Sequence, residues 1–257
     1  MQKIKLIISN IILKFTNYRI INNNFYNYLM DSVRASEFMK FASIFYPEEQ
    51  IIQTFLNSKA QFFQDIFVLE KLNFKKNGFF VEFGAADGVD SSNTFQLEKH
   101  FNWTGILIEP LKFEYEKLKN NRDCILDSRC IYNKSGEKVI FNERVMGIDD
   151  EYQNSAGPKS YFDSKSEIET ITLTDLLDEY HAPKIIDYIS IDTEGSEFKI
   201  LEVFNFEKYK FKIIQVEHNF TNDREKIFKL LSSKGYLRVF TSISKVDDWY
   251  INPSLIN

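Results

Sequence analysis

Gly78-Phe79-Phe80-Val81-Glu82-Phe83-Gly84-Ala85-Ala86-Asp87-Gly88 decides the fold. An apolar run with a single acid, closed by glycine, reads as a buried parallel strand. Ser91 and Ser92 follow, placed to cap a helix starting near Asn93. Strand, small-residue turn and helix open a βαβ unit, so the expected class is α/β. Gly84, Ala86 and Gly88 keep side chains out of the turn, so backbone can approach a ligand closely. Glu82 sits near the strand's carboxyl end, where open α/β sheets bind ligands. The turn has neither Gly-x-Gly-x-x-Gly nor Gly-Lys-Ser/Thr. Glu82 and Asp87 repel phosphate and suit a ligand with cationic or hydroxyl groups.

Thr104-Gly105-Ile106-Leu107-Ile108-Glu109-Pro110 is a second apolar run ending in an acid, one strand-helix-strand step later. An acid in that place commonly binds the ribose hydroxyls of a nucleotide, which makes Glu109 a candidate. Pro110 stops the strand.

At this point the chain resembles FkbM-type methyltransferases, which depend on S-adenosylmethionine (SAM). The resemblance is carried by Phe80 to Gly88, Ser92-Asn93-Thr94, Gly105 to Pro110 and Ile191-Asp192-Thr193-Glu194-Gly195, in that order. It implies a Rossmann-like class I methyltransferase: a mostly parallel seven-stranded sheet with helices on both faces. Residues 76–257 would form that domain and residues 1–75 a helical N-terminal extension. It implies cofactor contacts from Glu82, Gly84, Ala86, Asp87, Gly88, Asn93, Glu109 and Pro110. Gln61, Gln64 and Asp65 match a Gln-x-x-Gln-Asp element of the family, which places Gln64 and Asp65 beside the methionine end of SAM. In such enzymes a polar group after the third strand reaches the adenine amine; here that implies Asp127 and Ser128.

Composition agrees with one sizeable soluble domain: 257 residues, 44% hydrophobic and 27% charged. A net charge of −5 and a pI near 5.4 argue against general nucleic-acid binding. Cys124 and Cys130 are the only cysteines, too few for a disulfide framework; reduced thiols in a cytoplasmic protein are expected. Lys3, Lys5, Lys14 and Arg19 surround a short apolar run at the N-terminus. It is too short to span a bilayer, and no small-residue cleavage site follows it. A helix packed on its own domain, or across a homodimer, fits this pattern better than a helix lying on a membrane.

Further along, Lys138 to Asn142 reads as an extra strand. Residues 143–168 read as a long polar loop, a candidate substrate lid. Ile185 to Ile191 reads as a strand ending at Asp192, and Phe211 to Val216 as a strand ending in Glu217-His218-Asn219. Tyr236 to Phe240 and Trp249 to Ile251 read as a closing antiparallel pair.

Because consecutive parallel strands are usually neighbours, Asp192 and Glu217-His218-Asn219 should converge. Asp192, Glu217 and His218 suit a divalent ion such as Mg²⁺, Mn²⁺ or Fe²⁺. Asp192 or His218 equally suits a general base on a hydroxyl. Glu194, Asn219, Arg144 and Lys159 are candidates for substrate contact. The expected activity is SAM-dependent O-methylation of a sugar hydroxyl, on a nucleotide-linked sugar or a surface-polysaccharide precursor. A non-catalytic scaffold docking at a membrane and a nicotinamide-dependent oxidoreductase are the alternatives.

Overall fold

A computed structural model describes residues 48–142, 147–148 and 165–256. The basic N-terminal segment, Arg144, Lys159 and the middle of the expected lid lie outside the described residues. The chain divides into two compact units, Met1–Phe55 and Leu56–Asn257. Helix α1 (Glu48–Asn57) runs across that boundary, and everything below belongs to the second unit. Among the described residues no helix is long and apolar enough to cross a membrane.

Helix α2 (Gln64–Lys71) precedes the sheet and so falls in the second unit. It starts at Gln64 because Phe63 before it is left-handed, at φ 64°. The chain then runs β1 (Phe79–Phe83), α3 (Phe95–Phe101), β2 (Thr104–Ile108), α4 (Lys112–Asn121) and β3 (Ile125–Asp127). Four strands follow: β4 (Cys130–Ile131), β5 (Lys138–Asn142), β6 (Gly147–Ile148) and β7 (Lys165–Ile171). The last third is α5 (Leu173–Glu179), β8 (Ile185–Ile191), α6 (Glu197–Glu202), β9 (Lys210–Glu217), α7 (Asp223–Ser233), β10 (Leu237–Val239) and β11 (Asp247–Ile251).

The main sheet has seven strands in the order β10-β11-β9-β8-β1-β2-β3. All neighbours are parallel except β11, antiparallel to β9, and β10, antiparallel to β11. This is the class I methyltransferase arrangement expected, closing pair included. The chain winds outward from β1 to β3 in one direction and from β8 to β9 in the other. The order therefore reverses between β1 and β8, and ligands bind in the crevice at such a reversal. The central strands are buried on both faces. Val81, Phe83, Ile106, Ile108, Ile189, Ile191 and Ile214 join one core with the helices.

A second, four-stranded sheet has the order β4-β7-β5-β6. Lys165 to Ile168, expected in a loop, are strand paired with β5. Lys165, Glu167 and Glu169 are exposed while Ser166, Ile168 and Thr170 turn inward, an alternation that the charge of this stretch hides. Leu173 is the first residue of α5, whose start is capped by the Thr172 side chain.

Gly105 on β2 permits the close packing of β1 beside it. A Cβ there would lie 2.3 Å from the Phe80 carbonyl oxygen and 2.4 Å from its ring. Gly105→Ala should therefore cost about 1–3 kcal/mol, as overpacking does. Urea denaturation checks this, and an unchanged midpoint would contradict the packing described.

Candidate functional site

The crevice lies where the loops after β1 and β8 meet. Gly84, the first residue past β1, has φ +68°, and a Cβ on it would sit 2.5 Å from the Asp192 carbonyl oxygen. Only glycine fits there. Ala86 is also left-handed, at φ 45°. Its N–H donates to Glu109 Oε2 at 2.8 Å, and the Leu111 N–H donates to Glu109 Oε1 at 2.8 Å. Glu109, 4% exposed, thus ties the first loop to the second strand. Burial pushes its carboxyl up to about 7, against the two backbone bonds.

Two cavities open from this junction and share Phe83, Gly84, Ala86 and Asp192. The first, about 100 Å³, is an apolar slot beside Glu109 and Pro110, with Ile108, Ile131, Phe141 and Ile148 on its walls. The second, about 250 Å³, is polar and reaches Gln64, Asn93, Gln215, Glu217 and Asp247. No lysine, arginine or histidine is among the described residues lining either one. Asn93 is 8% exposed; its Nδ2 donates to Ser190 Oγ at 2.9 Å, and its Oδ1 has no hydrogen-bond partner among the described residues. SAM would find in these linings an apolar slot for a flat base, Glu109 for ribose hydroxyls and an acidic chamber for a cationic methionine end.

The other expected cofactor residues are held by contacts within the chain, and Gln64 and Glu82 among them line the polar chamber. Glu82, 2% exposed, accepts from the Asn93 N–H at 2.7 Å and from the hydroxyls of Ser92 and Thr94. Burial raises its carboxyl, and Arg122 opposes that. Ser92 consequently does not cap a helix, and α3 begins only at Phe95. Asp87 Oδ1 accepts from the N–H groups of Val89 and Asp90 and closes the turn on itself. Gly88 lies beside Leu118 and Arg122, where a Cβ would approach them to 2.4 and 2.7 Å. Gln64 lines the chamber and donates to Asp247 Oδ2 at 2.8 Å, whereas Asp65 is fully buried and accepts from Gln96 and Ser58. Asp127 is held by Arg129 and by the Tyr180 hydroxyl at 3.0 Å, and neither it nor Ser128 is among the described residues lining either of these two cavities. Cys130 and Ile131 of β4 line the slot instead. The apolar pair at the start of the second sheet was the signal for this.

The strand-end acids converge as their register requires. Asp192, Glu194 and Glu217 bring carboxylate oxygens within 4.8 Å of one another. All three are half-buried, and Glu194 reaches the group from a left-handed backbone at φ 56°. Burial raises both Asp192 and Glu217, and their neighbours' negative charge raises them further; Glu217 is pushed up to about 11. Three carboxylates this close cannot all ionise without a cation.

His218 is not in this group. Its Nδ1 accepts the Phe220 N–H at 2.9 Å, and its Nε2 lies 3.7 Å from Asp248 Oδ1. Asp248 in turn accepts from Arg224 and Arg238. Residue 218 is the first beyond β9, and its side chain falls on the side away from the acids. Burial holds its imidazole below the ordinary range. His218 pins the loop through Asn219 and Phe220, both left-handed, and Asn219 does not line either cavity. Arg122, which no reading of the sequence singles out, lies 3% exposed against Glu82, Ser92 and Thr94.

Comparison with known proteins adds the family. No curated protein matches the chain. Among solved structures, a methyltransferase FkbM from Methylobacillus flagellatus KT is similar at 15% identity, covering 69% of this chain and 44% of that longer one, with a TM-score of 0.43. A precorrin-6y C5,15-methyltransferase from Geobacter metallireducens GS-15 is similar at 12% identity, 68% and 71% coverage and a TM-score of 0.40. A ribosomal protein L11 methylase from Lactobacillus delbrueckii subsp. bulgaricus gives 10%, 73% and 74%, and 0.38. Likenesses this weak say nothing about substrate. The methyltransferase FkbM domain, however, matches residues 82–244, from the acid of β1 to the loop before β11, and by that match the chain belongs to the FkbM methyltransferase family.

Proposed function

We propose that this methyltransferase transfers the methyl of SAM to a sugar hydroxyl, on a nucleotide-linked sugar or a surface-polysaccharide precursor. The observation that carries the reading is the acid cluster of Asp192, Glu194 and Glu217 beside the junction of the two cavities. SAM supplies an electrophilic methyl on a sulfonium. The chain supplies position, charge and a proton acceptor. Glu109 orients the adenosine half, and the acids of the chamber face the cationic half. A sugar hydroxyl is a poor nucleophile, so it needs a base as its oxygen gains the methyl. Asp192 is that base: it hydrogen-bonds Glu217, and because burial and mutual charge raise both carboxyls, the two share one proton and one negative charge.

A second reading has a specific observation behind it. The same three carboxylates have the spacing of a divalent cation site, with hard oxygen donors suited to Mg²⁺ or Mn²⁺. Such an ion would keep all three ionised and lower the pKa of a bound hydroxyl. Its ligands would be Asp192, Glu194 and Glu217, without His218.

Three outcomes are expected. S-adenosylhomocysteine (SAH), followed by calorimetry, should bind more tightly at pH 8 than at pH 6. Glu109 releases its proton near pH 7, and the carboxylate is the better acceptor for ribose hydroxyls. Asp247 also titrates near 7, so the attribution rests on Glu109→Gln, which should flatten the profile; an equally steep profile would refute it. Asp192→Asn should lower methyl transfer to a panel of nucleotide-linked sugars by roughly 10²–10⁴-fold. Retained transfer would remove Asp192 from the base role. Elemental analysis with a chelator arm separates the two readings, because only an ion at the cluster makes activity chelator-sensitive and loses the metal in Glu217→Gln.

A further inference from the structure

Arg122 follows α4, far in sequence from the loop after β1, yet its guanidinium lies beneath that loop. Nε donates to Glu98 Oε2 at 2.7 Å. Nη1 donates to the Gly88 carbonyl at 3.0 Å and to Ser92 Oγ at 3.1 Å, and Nη2 to Thr94 Oγ1 at 2.9 Å. Glu82 Oε2 is 3.9 Å away, and the rings of Phe80 and Phe95 flank the group. The side chain is fully buried. A buried guanidinium is tolerated only when its donors and its charge are matched. Here the matching groups come from the end of β1, the loop itself and the start and exposed turn of α3.

Gly88 has no side chain because the stem of Arg122 passes there. Ser92 and Thr94 each receive a bond from Arg122 and give one to Glu82. Asn93 lies between them, and its backbone N–H is also spent on Glu82. Its side chain lines the acidic chamber, and its Oδ1 has no hydrogen-bond partner among the described residues.

We propose that Arg122 is the residue that positions the cofactor loop, holding Ser92, Asn93 and Thr94 in the shape that receives the methionine end of SAM. This rests on the cofactor reading above. Arg122 touches neither cavity, so it acts only through these residues. The apolar slot and Glu109 lie on the other side of Gly84, and none of the Arg122 hydrogen bonds reaches a residue that lines the slot.

The test compares two probes by calorimetry on the full chain: SAH, which has a methionine end, and 5′-methylthioadenosine, which has none. Arg122→Lys keeps the charge but cannot reach all four partners. It should weaken SAH roughly tenfold or more, the worth of lost hydrogen bonds to a charged group, while 5′-methylthioadenosine stays within about twofold. Thr94→Val removes one Arg122 bond and one Glu82 bond from a residue that lines neither cavity. It should weaken SAH about threefold with the same selectivity, and it decides alone if circular dichroism shows Arg122→Lys unfolded. Equal weakening of both probes would assign Arg122 to the fold in general and overturn the proposal, as would unchanged SAH affinity in the folded variants. A wild-type chain that binds neither probe would overturn the cofactor reading first.

Discussion

Contact between two loop backbones sets the geometry of this site. Gly84 and Asp192 end neighbouring strands, and the Gly84 α-carbon lies so near the Asp192 carbonyl that no side chain fits between. That contact joins the loop after β1 to the loop after β8 at the one place where the sheet order reverses. It brings Asp192 and Glu194 beside the small residues Gly84 and Ala86, with Glu217 one strand further out. A methyl transfer needs donor and acceptor in line at van der Waals distance, which is a demand on position before it is a demand on chemistry. Shared walls at Phe83, Gly84, Ala86 and Asp192 answer that demand.

Charge is sorted around the same contact. The cavity walls are acidic, and the cations sit behind them. Arg122 backs Glu82, Arg129 holds Asp127, and Arg224 with Arg238 hold Asp248 beside His218. Acids backed by a cation are structural in effect, since their lone pairs and charge are already used. Asp192 and Glu217 have no such backing among the described ion pairs, and burial together with their neighbours' negative charge raises both carboxyls. A chamber with this charge attracts a sulfonium and an ammonium and rejects a phosphate.

The strands and the acids at their ends were legible in the sequence because both are local. An apolar run closed by glycine or by Asp192 carries its own period, and Ile185 to Ile191 appears in the structure with those bounds. Partners of buried polar groups were not legible, because each is set by residues far away in sequence. Asn120-Asn121-Arg122-Asp123 reads as a solvated helix end, and nothing local shows that a guanidinium turns under a loop more than 25 residues back, as it does to Thr94. His218 reads as one of a strand-end group with Glu217, but successive residues point to opposite sides. Ser92 reads as a helix cap and is spent on Glu82, because a hydroxyl donates more strongly to a buried carboxylate than it accepts from a neutral backbone N–H.

The second sheet completes this division. Phe141 and Ile148 from β5 and β6 close the apolar slot, and Gly147 packs against Glu194, where a Cβ would come within 3.1 Å of Glu194 Cβ. The insert between β3 and α5 therefore rests directly on the loop that carries Glu194. The central strands cannot change without moving the contact at Gly84, and Gly147 of β6 cannot gain a side chain without pressing on Glu194. The approach of the acids to one another is thus set by the main sheet, and the wall beside them by the second.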